Sequence, residues 1–395
     1  SIRSMSEVNL EEAEVKKDSS ADLHIITPRV ATVFLPENHK RFVLRHFACH
    51  PSHYAGLDTN RITLLFFNLG SLDLLNQIDS VVSDLDRQRI LNWIYSLQIT
   101  TSEGAPEDAC GFRGSFTCAR DPKVSVEDGG IRSEGGGYDA ANLAQTYSAL
   151  MCLAILGDDM SKVKRAAILN TIRKCQTEQG CFATQGAGSE CDMRFAFCAV
   201  AICYILGDDS AIDWKRLGAF IKGAVAYDGG IGQMPGDESH GGSTYCAIAS
   251  LALANRLWDG SVLVEKQLEK LTKWALLKQE RGFHGRANKP DDSCYAFWIG
   301  ATLEILNAHQ LIGHSSLRSF LYSVQHTSLG GFCKLAEPGA YPDNLHTYFS
   351  LAALSLMREP GMPLVHAPLN CSRRVHESVA RRRLLFSRIF ASSTP

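Results

Sequence analysis

Charge of one sign, long apolar runs and paired cysteines are all missing from this sequence. Its 40 Lys and Arg nearly balance 42 Asp and Glu, for a net charge of −2. That leaves no excess of either sign to gather nucleic acid or an anionic membrane surface. No apolar run has the length that spans a bilayer, and the first residues hold no signal-peptide core. There are 13 cysteines but no Cys-x-x-Cys pair. An odd number, scattered through apolar helical patterns (Cys152, Cys198, Cys203, Cys246), argues against a disulfide frame and for reduced, buried thiols in the cytoplasm.

The rest of the composition, 45% hydrophobic and 21% charged, is that of a soluble globular protein. A length of 395 residues allows two or three domains, or one large domain built from repeats. Residues 1–30 are polar and charged and read as a disordered tail. Residues 31–370 read as one domain, with a glycine-rich stretch lacking any period at 104–137 that reads as a loop insertion. Residues 371–395 form a basic tail around Arg381, Arg382 and Arg383, unstructured by default, with a docking helix as the alternative.

Within the domain the chain repeats. Ile-Leu-Gly-Asp-Asp stands at 155–159 and again fifty residues on, at 205–209. A glycine-then-apolar turn recurs at Gly180-Cys181-Phe182, Gly230-Ile231, Gly282-Phe283 and Gly331-Phe332, at steps of 49, 52 and 49 residues. Each turn follows one helical pattern and precedes another, and this second helix is apolar nearly all round. Pairs with one buried and one amphipathic helix predict an all-α fold, a closed α/α barrel whose inner helices line a cavity. An open solenoid is the alternative.

Polar residues cluster where each inner helix begins: Asp192 and Arg194, His240 and Ser243, Asp292 and Cys294, His346. In a barrel these starts meet at one mouth, so residues one period apart become neighbours. Asp292, Cys294 and His346 then offer oxygen, sulfur and nitrogen together, and three protein ligands with a fourth position open is the pattern of a catalytic zinc. The stretch Gly282–Trp298 adds Arg286 and Lys289 just before Asp292, and with His240 and Tyr295 they could grip a diphosphate. Below them Tyr147, Phe197 and Trp298 would line a cavity suited to a long apolar chain. Each piece has a plainer reading: a solvated loop, a core cysteine, core aromatics.

Taken together, these residues resemble the β subunits of protein prenyltransferases, from about Phe42 to Asn370. The specific pieces are Glu238-Ser239-His240-Gly241-Gly242-Ser243-Thr244, Gly285-Arg286-x-Asn288-Lys289, Asp292-x-Cys294-Tyr295-x-Phe297-Trp298 and Pro342-Asp343-x-Leu345-His346. The resemblance implies one zinc on Asp292, Cys294 and His346, and an isoprenoid diphosphate headed on His240, Arg286, Lys289 and Tyr295. It also implies substrate contacts at Thr63, Phe67, Tyr147, Arg194, Trp298 and Leu345. An obligate α subunit would complete the enzyme, and the acceptor would be the cysteine thiolate of a C-terminal CaaX motif.

Three positions point, by resemblance, to the geranylgeranyl type I branch. Thr63 stands where farnesyl enzymes place a tryptophan at the cavity floor. Lys334 stands where a magnesium-binding aspartate is found, which implies that magnesium is not required. Leu345 replaces a tyrosine. The implied donor is geranylgeranyl diphosphate, and the implied acceptors are small GTPases and other proteins ending in Cys-x-x-Leu. Asn142, Gln145 and Phe197 depart from that pattern. The competing readings are a farnesyl- or Rab-type β subunit, a terpene cyclase, and a non-catalytic helical-repeat scaffold.

Overall fold

The structure, a computed structural model, describes residues 31–103, 105–116, 125–127, 130–132, 140–186 and 188–391. The expected N-terminal tail (1–30), most of the second half of the 104–137 insertion and residues 392–395 lie outside them. Helices dominate: α1 (Pro36–Ala48), α2 (Arg61–Leu74), the single turn α3 (Ile78–Val81), α4 (Asp84–Ser96), α5 (Leu143–Ile155), α6 (Arg165–Cys175) and α7 (Met193–Leu206). They continue as α8 (Trp214–Gly223), α9 (Gly241–Leu253), α10 (Glu265–Leu276), α11 (Tyr295–Ile305), α12 (His314–Ser323), α13 (Asn344–Leu356) and α14 (Arg373–Ala391).

Helices α2, α5, α7, α9, α11 and α13 pack in that order, and α13 returns to α2, so the ring is closed and the solenoid alternative falls. Each is buried along almost its whole length, from Leu143 to Ile155 in α5 for example. Their partners bury one stripe only, as in α10, where Leu268, Leu271, Trp274 and Ala275 face inward. The seam between last and first repeats is sewn by His39, which bonds Gln325 Oε1 at 2.9 Å and accepts from Gly331 N at 2.9 Å.

The recurring turns have a shared cause. Phe182, Ile231, Phe283 and Phe332 are fully buried and form single antiparallel bridges to Gln176, Val225, Gln279 and Gln325. Ile231 N and Phe332 N each donate to a threonine on the following inner helix, Thr244 and Thr347, at 3.0 Å. Phe112 N does the same to Thr146, also at 3.0 Å. Gly111-Phe112 is therefore one more copy of the turn, hidden in the sequence because the insertion stretches its spacing. The Ile-Leu-Gly-Asp-Asp repeat ends inner helices: Gly157 and Gly207 take φ of 77° and 71°, where a side chain would strain the backbone.

The two ends of the barrel differ. Inner helices begin at one end, the mouth. The other end is closed by residues 365–372, which rise into the barrel. Tyr147, Tyr245 and Tyr348, on the second turns of their helices, donate to the carbonyls of Leu369 (3.1 Å), Ala367 (2.8 Å) and Asn370 (2.6 Å). Beneath lies α14. Where the sequence leaves this segment as an unstructured tail by default, it is the docking helix, because Val375 and Val379 are fully buried and Arg374 pairs with buried Asp73. No helix among the described residues is long and apolar enough to cross a membrane.

Candidate metal and anion site at the barrel mouth

The polar residues at the mouth are first of all helix caps. Asn142, Asp192, His240 and Asp343 precede α5, α7, α9 and α13, and each side chain accepts from backbone N–H groups of the first turn. Capping fixes their direction and leaves the other edge of each group facing the mouth.

Asp292, Cys294 and His346 meet there, with one ligand atom from each lying within 4.8 Å of the other two. They are the one such trio of His, Cys, Asp or Glu among the described residues. Asp292 Oδ1 accepts from Cys294 N at 2.9 Å and lies 3.4 Å from His346 Nε2. His346 Nδ1 bonds Asp343 Oδ2 at 2.6 Å, which leaves Nε2 aimed at the trio. Burial works to lower the His346 pKa, but the bonds to Asp292 and Asp343 and their charges lift it to about 9. Burial, then the Asp292 carboxylate, push the Cys294 thiol well up. A buried thiol that resists ionisation beside a carboxylate and an oriented imidazole fits a divalent cation, whose charge would favour the thiolate.

Beside the trio lies a depression of about 210 Å³ lined by Gly285, Arg286, Lys289, Pro290, Asp292, Tyr295, Lys334 and Leu335. Arg286 Nη1 holds Glu238 at 2.9 Å, and Lys334 Nζ stands 3.8 Å from Asp292 Oδ2. A Cβ at Gly285 would overlap the Tyr295 ring, so glycine there lets the loop close over it. His240 Nδ1 accepts from Gly242 N (3.1 Å) and Ser243 N (3.3 Å), and its Nε2 bonds Tyr295 Oη at 2.9 Å. Burial, then the charge of Arg286, lower the His240 pKa and favour the neutral ring. With Nδ1 accepting, the network assigns the proton to Nε2, which donates to Tyr295 and leaves the phenol hydrogen for a ligand.

Below the mouth an aromatic belt runs round the barrel. Ring contacts lead from Phe66 to Tyr147 (5.7 Å), Phe197 (5.5 Å), Tyr245 (5.5 Å), Trp298 (5.1 Å), Phe349 (4.2 Å) and back to Phe67 (5.7 Å). Sequence reasoning names Phe67, Tyr147, Phe197 and Trp298 but misses Phe66, Tyr245 and Phe349, which a search of the same helix turn in every repeat would find. It names Asp343 within a motif but gives it no role behind His346.

The remaining residues are dispersed. Arg194 grips Asp192 with Nε 3.0 Å from both carboxylate oxygens, and is half exposed. Leu345 is exposed at the rim. Thr63 is not on the floor: it is the third residue of α2 and bonds Gln145, the third residue of α5, at 2.9 Å. It lies in the first turn of α2, near the mouth, while residues 365–372 close the other end. Gln145 Nε2 also donates to Asn60 at 2.6 Å, so this departure from the type I pattern joins α2 to α5.

Comparison with known proteins agrees with this architecture. The family described as prenyltransferase alpha-alpha toroid domain matches residues 34–375. A geranylgeranyl transferase type-1 subunit beta from Dictyostelium discoideum is 40% identical over 344 residues, 85% of this chain and 94% of the relative. The protein of that name from Arabidopsis thaliana is 36% identical over 353 residues, 85% and 90% of the two chains. A solved Candida albicans protein geranylgeranyltransferase-I, complexed with GGPP, superposes with TM-score 0.75 at 24% identity, over 89% of this chain and 99% of its own. On the family match, the relatives and the closed ring of helix pairs, the chain belongs to the geranylgeranyl transferase type-1 β subunits of the prenyltransferase family.

Proposed function

We propose that this chain, with an α subunit, transfers a geranylgeranyl group from geranylgeranyl diphosphate to the cysteine of a C-terminal Cys-x-x-Leu motif in small GTPases and similar proteins. The observation that carries the reading is the meeting of Asp292, Cys294 and His346 beside the cationic depression and above the aromatic belt. One zinc would be held by that trio, and when bound it would keep the acceptor cysteine as a thiolate at neutral pH.

This chain's own residues do the rest. Arg286, Lys289 and Lys334 neutralise charge that builds on the diphosphate as the bond to C1 of the isoprenoid breaks and sulfur bonds to C1. Tyr295 donates its hydroxyl hydrogen to the departing oxygens, held in aim by His240. Lys334 supplies the cation that magnesium would otherwise bring, so magnesium is dispensable. Asp343 keeps Nε2 of His346 pointing into the site.

Tyr147 and Tyr245 of the belt bond the raised floor directly, so a chain lying on the belt would have little depth beneath it. A four-unit chain headed at α9 and α11 crosses the barrel and ends against the wall at Phe67 and Thr63, with Tyr147 and Trp298 along its path. Arg194 and Leu345, at the rim, face the acceptor peptide. The 12 cysteines of the described residues are all free, in keeping with a cytoplasmic enzyme.

The test is to purify the heterodimer and offer it both isoprenoid diphosphates with one peptide ending in Cys-x-x-Leu. Transfer of the geranylgeranyl group at the higher kcat/KM, with zinc and without added magnesium, is expected. Preference for the farnesyl donor would overturn the reading.

A further inference from the structure

Resting on the reading that Arg286 and Lys289 hold a diphosphate, we propose that Asp291 is a positioning residue that sets their loop for the donor. The loop leaves the barrel after Phe283 and returns at Asp292, and these ends are joined by Asp292 N donating to Phe283 O at 3.0 Å. Asp291 reinforces the junction from the exit side. Its Oδ2 accepts from Gly282 N at 2.7 Å and Arg281 N at 3.1 Å, both on the segment that enters the loop. Its other oxygen lies 3.7 Å from Nδ1 of His284, the first residue of the loop, and both atoms are buried without a hydrogen-bond partner. One carboxylate thus faces two residues of the entry segment and the first residue of the loop.

A second anchor lies across the mouth, where Gly241 N at the start of α9 donates to Gly285 O at 2.9 Å. Arg286 and Lys289 stand between the two anchors, and Asn288 between them takes φ of 58°. The tip turns through a left-handed residue, a conformation that asparagine tolerates but that does not fix the loop by itself, so its pose depends on how its ends are held. A loop held in its binding pose spares the ligand the cost of ordering it. The Asp292 carboxylate has a support of its own, Cys294 N, so loosening Asp291 should weaken the anion grip while leaving the metal trio assembled.

The experiment measures the Kd of geranylgeranyl diphosphate, kcat, and zinc content on the heterodimer. Asp291→Ala should raise Kd about tenfold, the size of one lost charge-assisted hydrogen bond, and lower kcat as well, because the same cations neutralise the departing diphosphate, with zinc within about twofold of the unaltered enzyme. Asp291→Asn keeps a carbonyl oxygen for the same two N–H groups and should restore most of the affinity. Asp291→Glu, a milder change in case the alanine variant does not fold, should raise Kd by several-fold, because the longer arm misplaces the acceptor.

In an Arg286→Ala/Lys289→Ala background Asp291→Ala should add less than about twofold, since the cations it positions are gone. The full tenfold in that background, or an unchanged Kd for both Asp291→Ala and Asp291→Glu, would overturn the role proposed. An unchanged Kd in the Arg286→Ala/Lys289→Ala variant itself would overturn the diphosphate reading and the inference with it. A raised Kd there, beside an unchanged one in the Asp291 variants, would sink the inference alone.

Discussion

The mouth and the closed end of this barrel are built from the opposite ends of the same six helices. At the closed end the chain answers its own polar groups. Arg87, Arg165 and Arg318, each from an outer helix, donate to the last carbonyls of the next inner helix, at Leu156 (2.7 Å), Leu206 (2.8 Å) and Met357 (3.3 Å). Arg374 of α14 adds a bond to Ile155 O at 3.1 Å. Cations at helix C-termini complement the dipole and satisfy carbonyls that the helix leaves over. At the mouth the dipoles have the other sign, and the answer is incomplete. Caps take up the N–H groups, yet Lys289 has no ion-pair partner among the described residues, and Lys334 and His346 Nε2 stand 3.8 and 3.4 Å from Asp292. The closed end uses polarity for stability; the mouth leaves polar groups available for the ligands proposed for it.

The contrast breaks most severely at the trio. Cys294→Ala should lower kcat/KM for prenyl transfer by about a thousandfold, because metal assistance is worth several kcal/mol, while far-UV circular dichroism stays that of the unaltered chain. Loss of the helical signal as well would make Cys294 a core residue first.

Next comes the seam, which belongs to neither end. Burial pulls the His39 pKa down to about 4, partly offset by its bond to Gln325. The unfolded chain therefore binds this proton at a higher pH than the folded one. Stability should be intact above about pH 6.5 and fall by about 3 kcal/mol by pH 4 from this group. Urea unfolding between pH 7 and 4.5 should show a slope that His39→Gln reduces by up to one proton. An unchanged slope would exclude His39 as the source.

At the closed end, Arg374→Ala leaves the buried Asp73 carboxylate unpaired and should cost about 2 kcal/mol of stability, below the cost of a fully buried pair because the arginine is half exposed. The KM for the diphosphate should stay within about twofold. A raised KM with unchanged stability would mean that the two ends are not separable.

The smallest effect sharpens the mouth itself. Thr63→Trp puts a ring system on the wall where the last isoprene unit would lie, and overpacking costs about 1–3 kcal/mol. The ratio of kcat/KM for the geranylgeranyl and farnesyl donors should drop about tenfold. No change in the ratio would remove Thr63 from the length-setting wall.

Much of the mouth was legible in the sequence and little of the closed end. The turns at Phe182, Ile231, Phe283 and Phe332 repeat because each must bury one side chain beside an inner helix start, so their spacing marks those starts. Asp192, His240 and Asp292 stand out as polar residues where apolar helices begin, and once the starts converge His346 joins them. Gly111-Phe112 escaped because the insertion after it stretches the period. The closed end escaped for another reason. Residues 365–372 have no period, and their contacts reach back more than 200 residues, as from Tyr147 to Leu369. The fate of α14 turned on a pattern as slight as Val375 and Val379, with Arg374 meeting an aspartate on α2. Thr63 lies nearer the mouth than the resemblance implies, because the height of that floor is set by this long-range packing.

Metal content of the purified heterodimer tests the central claim most directly, that residues one repeat apart converge on a single metal site at the mouth. The unaltered protein and Arg374→Ala should each carry one zinc per heterodimer, and Cys294→Ala well under one-tenth of that. Full zinc occupancy in Cys294→Ala, or none in the unaltered protein, would contradict it.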